Sequence, residues 1–220
     1  MFKLFSFIIG VLLWVSLPSF AQNYSLKTVE TSFTIENTAY KGYQTTFDLP
    51  LKTVKKAWWK YIKAKASIFN RKTHYELTLA PERGQSNTPF KFISQLEEAS
   101  NKTSTTLRVA PIKGGMSSSQ TQTATKGLNT LIKDFKIGYF TAEIQGQIIK
   151  AEAEALTTSS KMGRYYTQNE YLIKKNEKKP NNKTTSKINQ NNAKLTKLKE
   201  ALKQQEDKRN EWVEKLGRIK

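Results

Sequence analysis

His74 is the only histidine in the chain, and Glu76 follows two residues later within the alternating run Thr73, Tyr75, Leu77, Leu79. Alternation turns His74, Glu76 and Thr78 to the face opposite Tyr75 and Leu77. Arg108, Lys91, Gln95 and Glu97 sit at positions that share this polar face. A His/Glu/Arg group of that kind is able to bind a ligand or transfer a proton. However, two residues along a strand is about 7 Å between Cα atoms, and any solvated strand face carries such pairs. The remaining chemistry is sparse. There is no cysteine, so there is no thiol nucleophile, disulfide, lipid-modified cysteine or Cys-ligated metal. One histidine makes no metal cluster. No G-x-S-x-G, phosphate-loop, H-E-x-x-H or EF-hand pattern occurs. Glu152 and Glu154 face different ways on a helix. The residues point to a protein that is not an enzyme and needs no cofactor or metal.

The second cluster is basic and aromatic. Val54, Ala57, Trp58, Tyr61 and Ile62 form one helical stripe. The other face of that helix, about residues 50–66, carries Lys52, Lys55, Lys56, Lys60 and Lys63, with Trp59 beside them. Asp48 is a candidate cap and Pro50 suits the first turn. Lys55, Lys56, Trp59, Lys60 and Lys63 are therefore candidates for a surface contact, through a membrane interface or stacking on a ring.

The elements that position these residues alternate before they turn helical. Val29, Thr31, Phe33 and Ile35 predict one strand, and Tyr43, Thr45, Phe47 and Leu49 predict a second after the turn residues Lys41-Gly42. Further strands are expected around Tyr75, around Phe90, Phe92 and Leu96, and around Thr105, Leu107 and Val109. Pro81-Glu82-Arg83-Gly84 ends the first of these, and the polar residues 113–124 read as a loop. A long amphipathic helix follows, 125–157, with Leu128, Ile132, Phe135, Tyr139, Ala142, Gly146, Ile149, Ala153 and Leu156 as its stripe. Gly138 and Gly146 mark close packing or a bend.

The expected fold class is α+β. An antiparallel sheet of about five strands is packed on one face by two helices, in the order ββαβββα. Its large core members are Trp58, Phe33, Phe47, Tyr75, Phe90, Phe92, Phe135 and Tyr139. This domain would occupy 22–160. Residues 161–193 read as a basic linker, with a short helical piece near 164–175 and then disorder over 174–192, where apolar residues are scarce. Residues 194–220 read as a coiled-coil-like helix with the seam Leu195, Leu198, Leu202, Gln205, Arg209, Trp212, Leu216 and Ile219. Leu195, Leu198, Leu202, Trp212 and Leu216 are the candidate partner contacts. The seam would serve self-association, a helical partner, or pairing with the long helix of the same chain.

Residues 1–21, MFKLFSFIIGVLLWVSLPSFA, have the charge, apolar run and small-residue ending of a signal peptide. The expected location is therefore export to the periplasm or beyond, with no lipid anchor and no membrane span in the mature chain. The 220 residues carry 37 Lys and Arg against 18 Asp and Glu, a formal net charge of +19. Residues 161–220 hold 17 basic and 7 acidic side chains, more than half of the excess in the exported part. Such blocks suit an anionic envelope surface and give no sign of specific nucleic-acid binding. Asn101-Lys-Thr and Asn182-Lys-Thr match the glycosylation triplet, a pattern frequent by chance.

The block Thr45–Leu79, with V-x-x-A-W-x-x-Y at Val54, Ala57, Trp58 and Tyr61, precedes a long helix and a Lys-rich heptad tail. It resembles a set of uncharacterised exported proteins of Gram-negative bacteria. The resemblance implies a periplasmic or envelope location and assigns no functional residue.

Overall fold

The computed structural model describes residues 24–79, 90–100, 102–112, 114 and 116–219. The leader-like segment, the Pro81–Gly84 turn and Asn101 lie outside the described residues.

The class is α+β, with six antiparallel strands and three helices among the described residues. The strands are β1 (Val29–Ile35), β2 (Thr38–Phe47), β3 (Ala66–Arg71), β4 (His74–Leu79), β5 (Phe90–Glu98) and β6 (Thr105–Pro111). Their order in the sheet is β1-β2-β6-β5-β4-β3. Helix α1 (Leu51–Lys63) carries the chain from β2 to the far edge, and the meander β3 to β6 returns to pair with β2. The five strands expected become six because β3 fills a stretch, directly after the first helix, for which the sequence predicts no element. As an edge strand it half-buries only Ala66 and Ile68 and shows no clear alternation.

The first hairpin turns at Glu36-Asn37, not at Lys41-Gly42. Both turn residues have positive φ, 49° and 64°, which is the backbone of a two-residue primed turn. Gly42 lies inside β2, opposite Thr31. Helix α1 begins after Pro50 with no side-chain cap, so Asp48 does not cap it.

Both α1 and the first half of α2 (Ser118–Lys178) cover the same sheet face. Val54, Trp58 and Ile62 meet Phe47, Leu77, Phe92 and Leu107 there, closed from the other side by Leu128, Ile132 and Phe135. The Trp58 indole N–H donates to Ser94 Oγ at 3.1 Å, a small side chain that leaves room for the ring. Phe33 does not join this core. It lies on the opposite sheet face with Ile35, Ile93 and Ala110, because the whole β1 alternation points that way.

Helix α2 starts inside the expected loop. Ser117 caps it by accepting from the Gln120 N–H, and the Gln120 side chain accepts from Ser117 N in return. It then runs unbroken for 61 residues. Gly138 and Gly146 face open space, so they do not mark close packing.

The segment expected to be disordered is helical. After a break at Lys179–Asn181, α3 (Asn182–Arg218) runs back along α2. The break is stapled by side chains. The Asn176 side chain accepts from Asn181 N and donates to Thr185, while Asn181 caps Lys183 N. Polar partners replace apolar burial in this stretch. The Asn191 side chain donates to Asn169 Oδ1 at 2.9 Å, and the Asn169 side chain donates to Asn192 Oδ1 at 2.7 Å. A buried Asn layer of this kind fixes the register of paired helices. Changing Asn191 to Leu should lower stability by about 1–2 kcal/mol, because the Asn169 amide stays in the seam with half its partners. Thermal unfolding checks this, and an unchanged midpoint would count against the layer.

Candidate polyanion interface

The seam residues of α3 face α2. Leu195 is buried, and Leu198, Leu202, Trp212 and Leu216 are half-buried along the same line. Ile219 ends in the main core. Upstream, Ile188 and Asn191 continue the seam. The surface expected to receive a partner is thus filled from within the chain, and the 194–220 helix is part of a longer hairpin.

Past Ile148 no residue of α2 belongs to the core packed on the sheet. From there α2 and α3 form an arm of their own. The 30 residues from Ile149 to Lys178 span about 45 Å at 1.5 Å per residue. Ala151, Thr158 and Asn169 face α3 inside it. The stripe expected to continue through Ile149 and Leu156 turns outward instead, with exposures of 66% and 70%. On the sheet the buried side of α2 is chosen by the strands. On the arm it is chosen by α3.

The seam divides the arm into two flanks of different character. Lys194 Nζ lies 5.3 Å from the Tyr165 ring, on the flank that holds Lys161, Arg164, Tyr171, Lys175 and Lys178 of α2 and Lys187 and Lys197 of α3. Tyr171 is 65% exposed there. Lys199 lies 5.9 Å from the Tyr166 ring on the other flank, where Arg209 also reaches Glu152 at 2.8 Å. Residues 161–203 hold 12 Lys and Arg against three carboxylates. One of the three, Glu170, is paired with Lys174, whose hydrogen bond and charge hold the carboxyl below its usual range.

The lysines of α1 form a separate ridge. Lys56, Lys60 and Lys63 are exposed. Lys55 lies 5.8 Å from the Tyr75 ring, and Trp59 meets the same ring edge-on at 5.4 Å while staying 38% exposed. Trp59 therefore packs at the border of the core rather than standing free.

His74, Glu76 and Arg108 share a sheet face, as the alternation requires, but they make no common site. The His74 ring is buried, with Nδ1 3.0 Å from Thr73 Oγ1. Glu76 is paired with Arg71 at 3.0 Å and lies 3.9 Å from His74 Nε2. Arg108 is paired with Glu97 and hydrogen-bonds Gln44 and Gln95, two strands away from β4. Each of the two arginines has its own carboxylate. Among the described residues no group of three or more His, Asp and Glu side chains is placed to hold a metal.

Sequence reasoning passed over Lys136. No pattern in the sequence singles it out on α2, yet it is 1% exposed. Its Nζ donates to Thr45 Oγ1 at 2.8 Å and Thr46 O at 3.0 Å, and lies 5.0 Å from the Phe47 ring. Burial pulls its pKa down to about 8, against the opposing pull of Asp48.

No helix among the described residues is long and apolar enough to cross a membrane. No protein-family model matches the chain, and no match was found among the curated proteins or the solved structures compared with it.

Proposed function

We propose that this is an exported, non-enzymatic envelope protein that docks on an anionic surface through its helical arm. The observation that carries the reading is the flank on which Lys161, Arg164, Lys175, Lys178, Lys187, Lys194 and Lys197 gather around the exposed Tyr171. Their charges lie along two antiparallel helices packed side by side, so a flat or extended polyanion meets several at once. Each lysine beside an anionic bilayer contributes about 1 kcal/mol at low screening. The leader-like residues 1–21 support the envelope as the setting. A second reading, a small apolar or amphipathic ligand held between sheet and helices, draws no support from that interface. Trp58, Leu77, Phe92, Ile132 and Phe135 are closed to solvent there.

The test is co-sedimentation with phosphatidylglycerol-containing vesicles and with purely zwitterionic ones, at low and high salt. Binding should appear on the anionic vesicles alone and fall with salt. Changing Lys187 and Lys194 to Gln should weaken it about thirtyfold, from the loss of two such contacts. Binding that ignores salt, or that the double variant leaves intact, would refute the reading.

A further inference from the structure

The opposite flank of the arm carries a second heptad stripe that no helix or strand among the described residues covers, with only the Lys199 side chain lying over Tyr166. Ile149 and Leu156 are 66% and 70% exposed, and Tyr166 and Ile173 are 47% and 45% exposed. Ser159 and Gly163 lie between them on the same line, and a Cβ placed on Gly163 would meet nothing within 4 Å. Val213 of α3, 43% exposed, borders the base of the stripe. We propose that two copies of this chain pair antiparallel through this stripe, with the two-fold axis between Ser159 and Gly163.

The spacing is self-complementary. Such an axis sets Ile149 against Ile173 of the other copy, Leu156 against Tyr166, and Ser159 against Gly163. Each position falls opposite its complement in an antiparallel heptad pairing, and an isologous contact requires that. The small pair falls nearest the axis, where it lets the helices approach closely. One pair is unfavourable, Glu152 against Glu170. Each of these carboxylates already has a cation within its own chain, Arg209 and Lys174, both at 2.8 Å. The stripe is about 36 Å long and the two-helix layer about 20 Å wide, which gives roughly 700 Å² per chain. A standard stable interface needs about 800 Å² per partner.

This pairing uses the flank away from Lys187 and Lys194 and does not rest on the docking reading. Its salt dependence has the opposite sign. Two copies of a chain with net charge +19 repel, so salt should tighten the dimer.

Sedimentation equilibrium of the purified protein should show a reversible dimer in the micromolar range that strengthens with salt. Leu156→Glu should weaken it at least about tenfold, with helical circular dichroism unchanged because the side chain is exposed. The chain has no cysteine, so a bridge between introduced ones is unambiguous. Ile149→Cys chains mixed with Ile173→Cys chains should cross-link to each other, and neither should cross-link well alone. A monomer at every concentration and salt would overturn the proposal. So would a dimer indifferent to Leu156→Glu, or Ile149→Cys chains that bridge to themselves as readily. A monomer whose stripe instead binds zwitterionic vesicles through Leu156 would make it a lipid face and overturn it equally.

Discussion

Replacing Gly42 with Ala should destabilise the protein by about 3 kcal/mol or more, enough to lower the melting temperature by about 6–12 °C. A Cβ at that position would lie 1.9 Å from Val109 O and 2.7 Å from Ala110 Cα. Neither atom is free to move. Val109 is paired with Ser94 and Ala110 with Ile93 across β5 and β6. The chain escapes the clash only by prising β2 from β6, the one junction that joins the β1–β2 hairpin to the other four strands. Gly138→Ala is the control. It sits on α2 in open space, where alanine should be neutral or stabilise by up to about 1 kcal/mol. Equal melting temperatures for the two variants would show that the close approach at Gly42 is not a constraint.

The second large effect is on pH dependence and belongs to Lys136. Its pKa in the folded protein is drawn down to about 8 from 10.5 by burial. Below pH 8 the folded state must hold the charge in an unfavourable place, and the full penalty applies. Between pH 8 and about 10 the folded protein releases this proton while the unfolded chain keeps it, so stability rises with pH. The gain should be about 2–3 kcal/mol. Above pH 10 the trend reverses. Tyr61 and Tyr139, raised by burial to about 12, stay protonated in the fold after they ionise in the unfolded chain. Loss of lysine charge elsewhere also relieves repulsion in this range, so Lys136→Met is needed for comparison. Denaturant titrations of both proteins should show the parent gaining about 2–3 kcal/mol relative to the variant from pH 7 to pH 10. A constant difference would mean that Lys136 is not desolvated.

Much of the fold was legible because it rests on periodicity. The strands around Phe33, Phe47, Tyr75, Phe92 and Leu107 and the helix around Trp58 all follow from which residues repeat. In the expected α3 seam Leu195 and Ile219 are buried and Leu198, Leu202, Trp212 and Leu216 half-buried, while Arg209 is exposed. The partner of that seam was not legible, since a heptad marks the buried side of a helix without naming what covers it. Asn191 and Asn192 fall in the stretch expected to be disordered, because a count of apolar residues gives no weight to amides that satisfy one another or Asn169. Ile149 and Leu156 continue the apolar stripe of the long helix and still turn outward, because a helix can change its buried side without any break in its pattern. Gly42 was taken for a turn. Glycine marks both turns and close approaches, and the true turn at Glu36-Asn37 uses non-glycine residues with positive φ. Of the candidate contacts, the lysines of α1 stay on the surface. The richer basic flank was hidden in a segment that no apolar pattern organised.

The arm is fastened at two points. α2 runs without interruption from Leu128, held in the core, to Lys178, and α3 returns to bury Ile219 in the same core. A domain tethered by a flexible linker tumbles freely about its anchor. This one has no swivel between the arm and the sheet. Whatever grips the arm therefore sets the attitude of the whole domain, and the sheet face that carries Phe33, Arg108 and His74 is turned in one fixed direction.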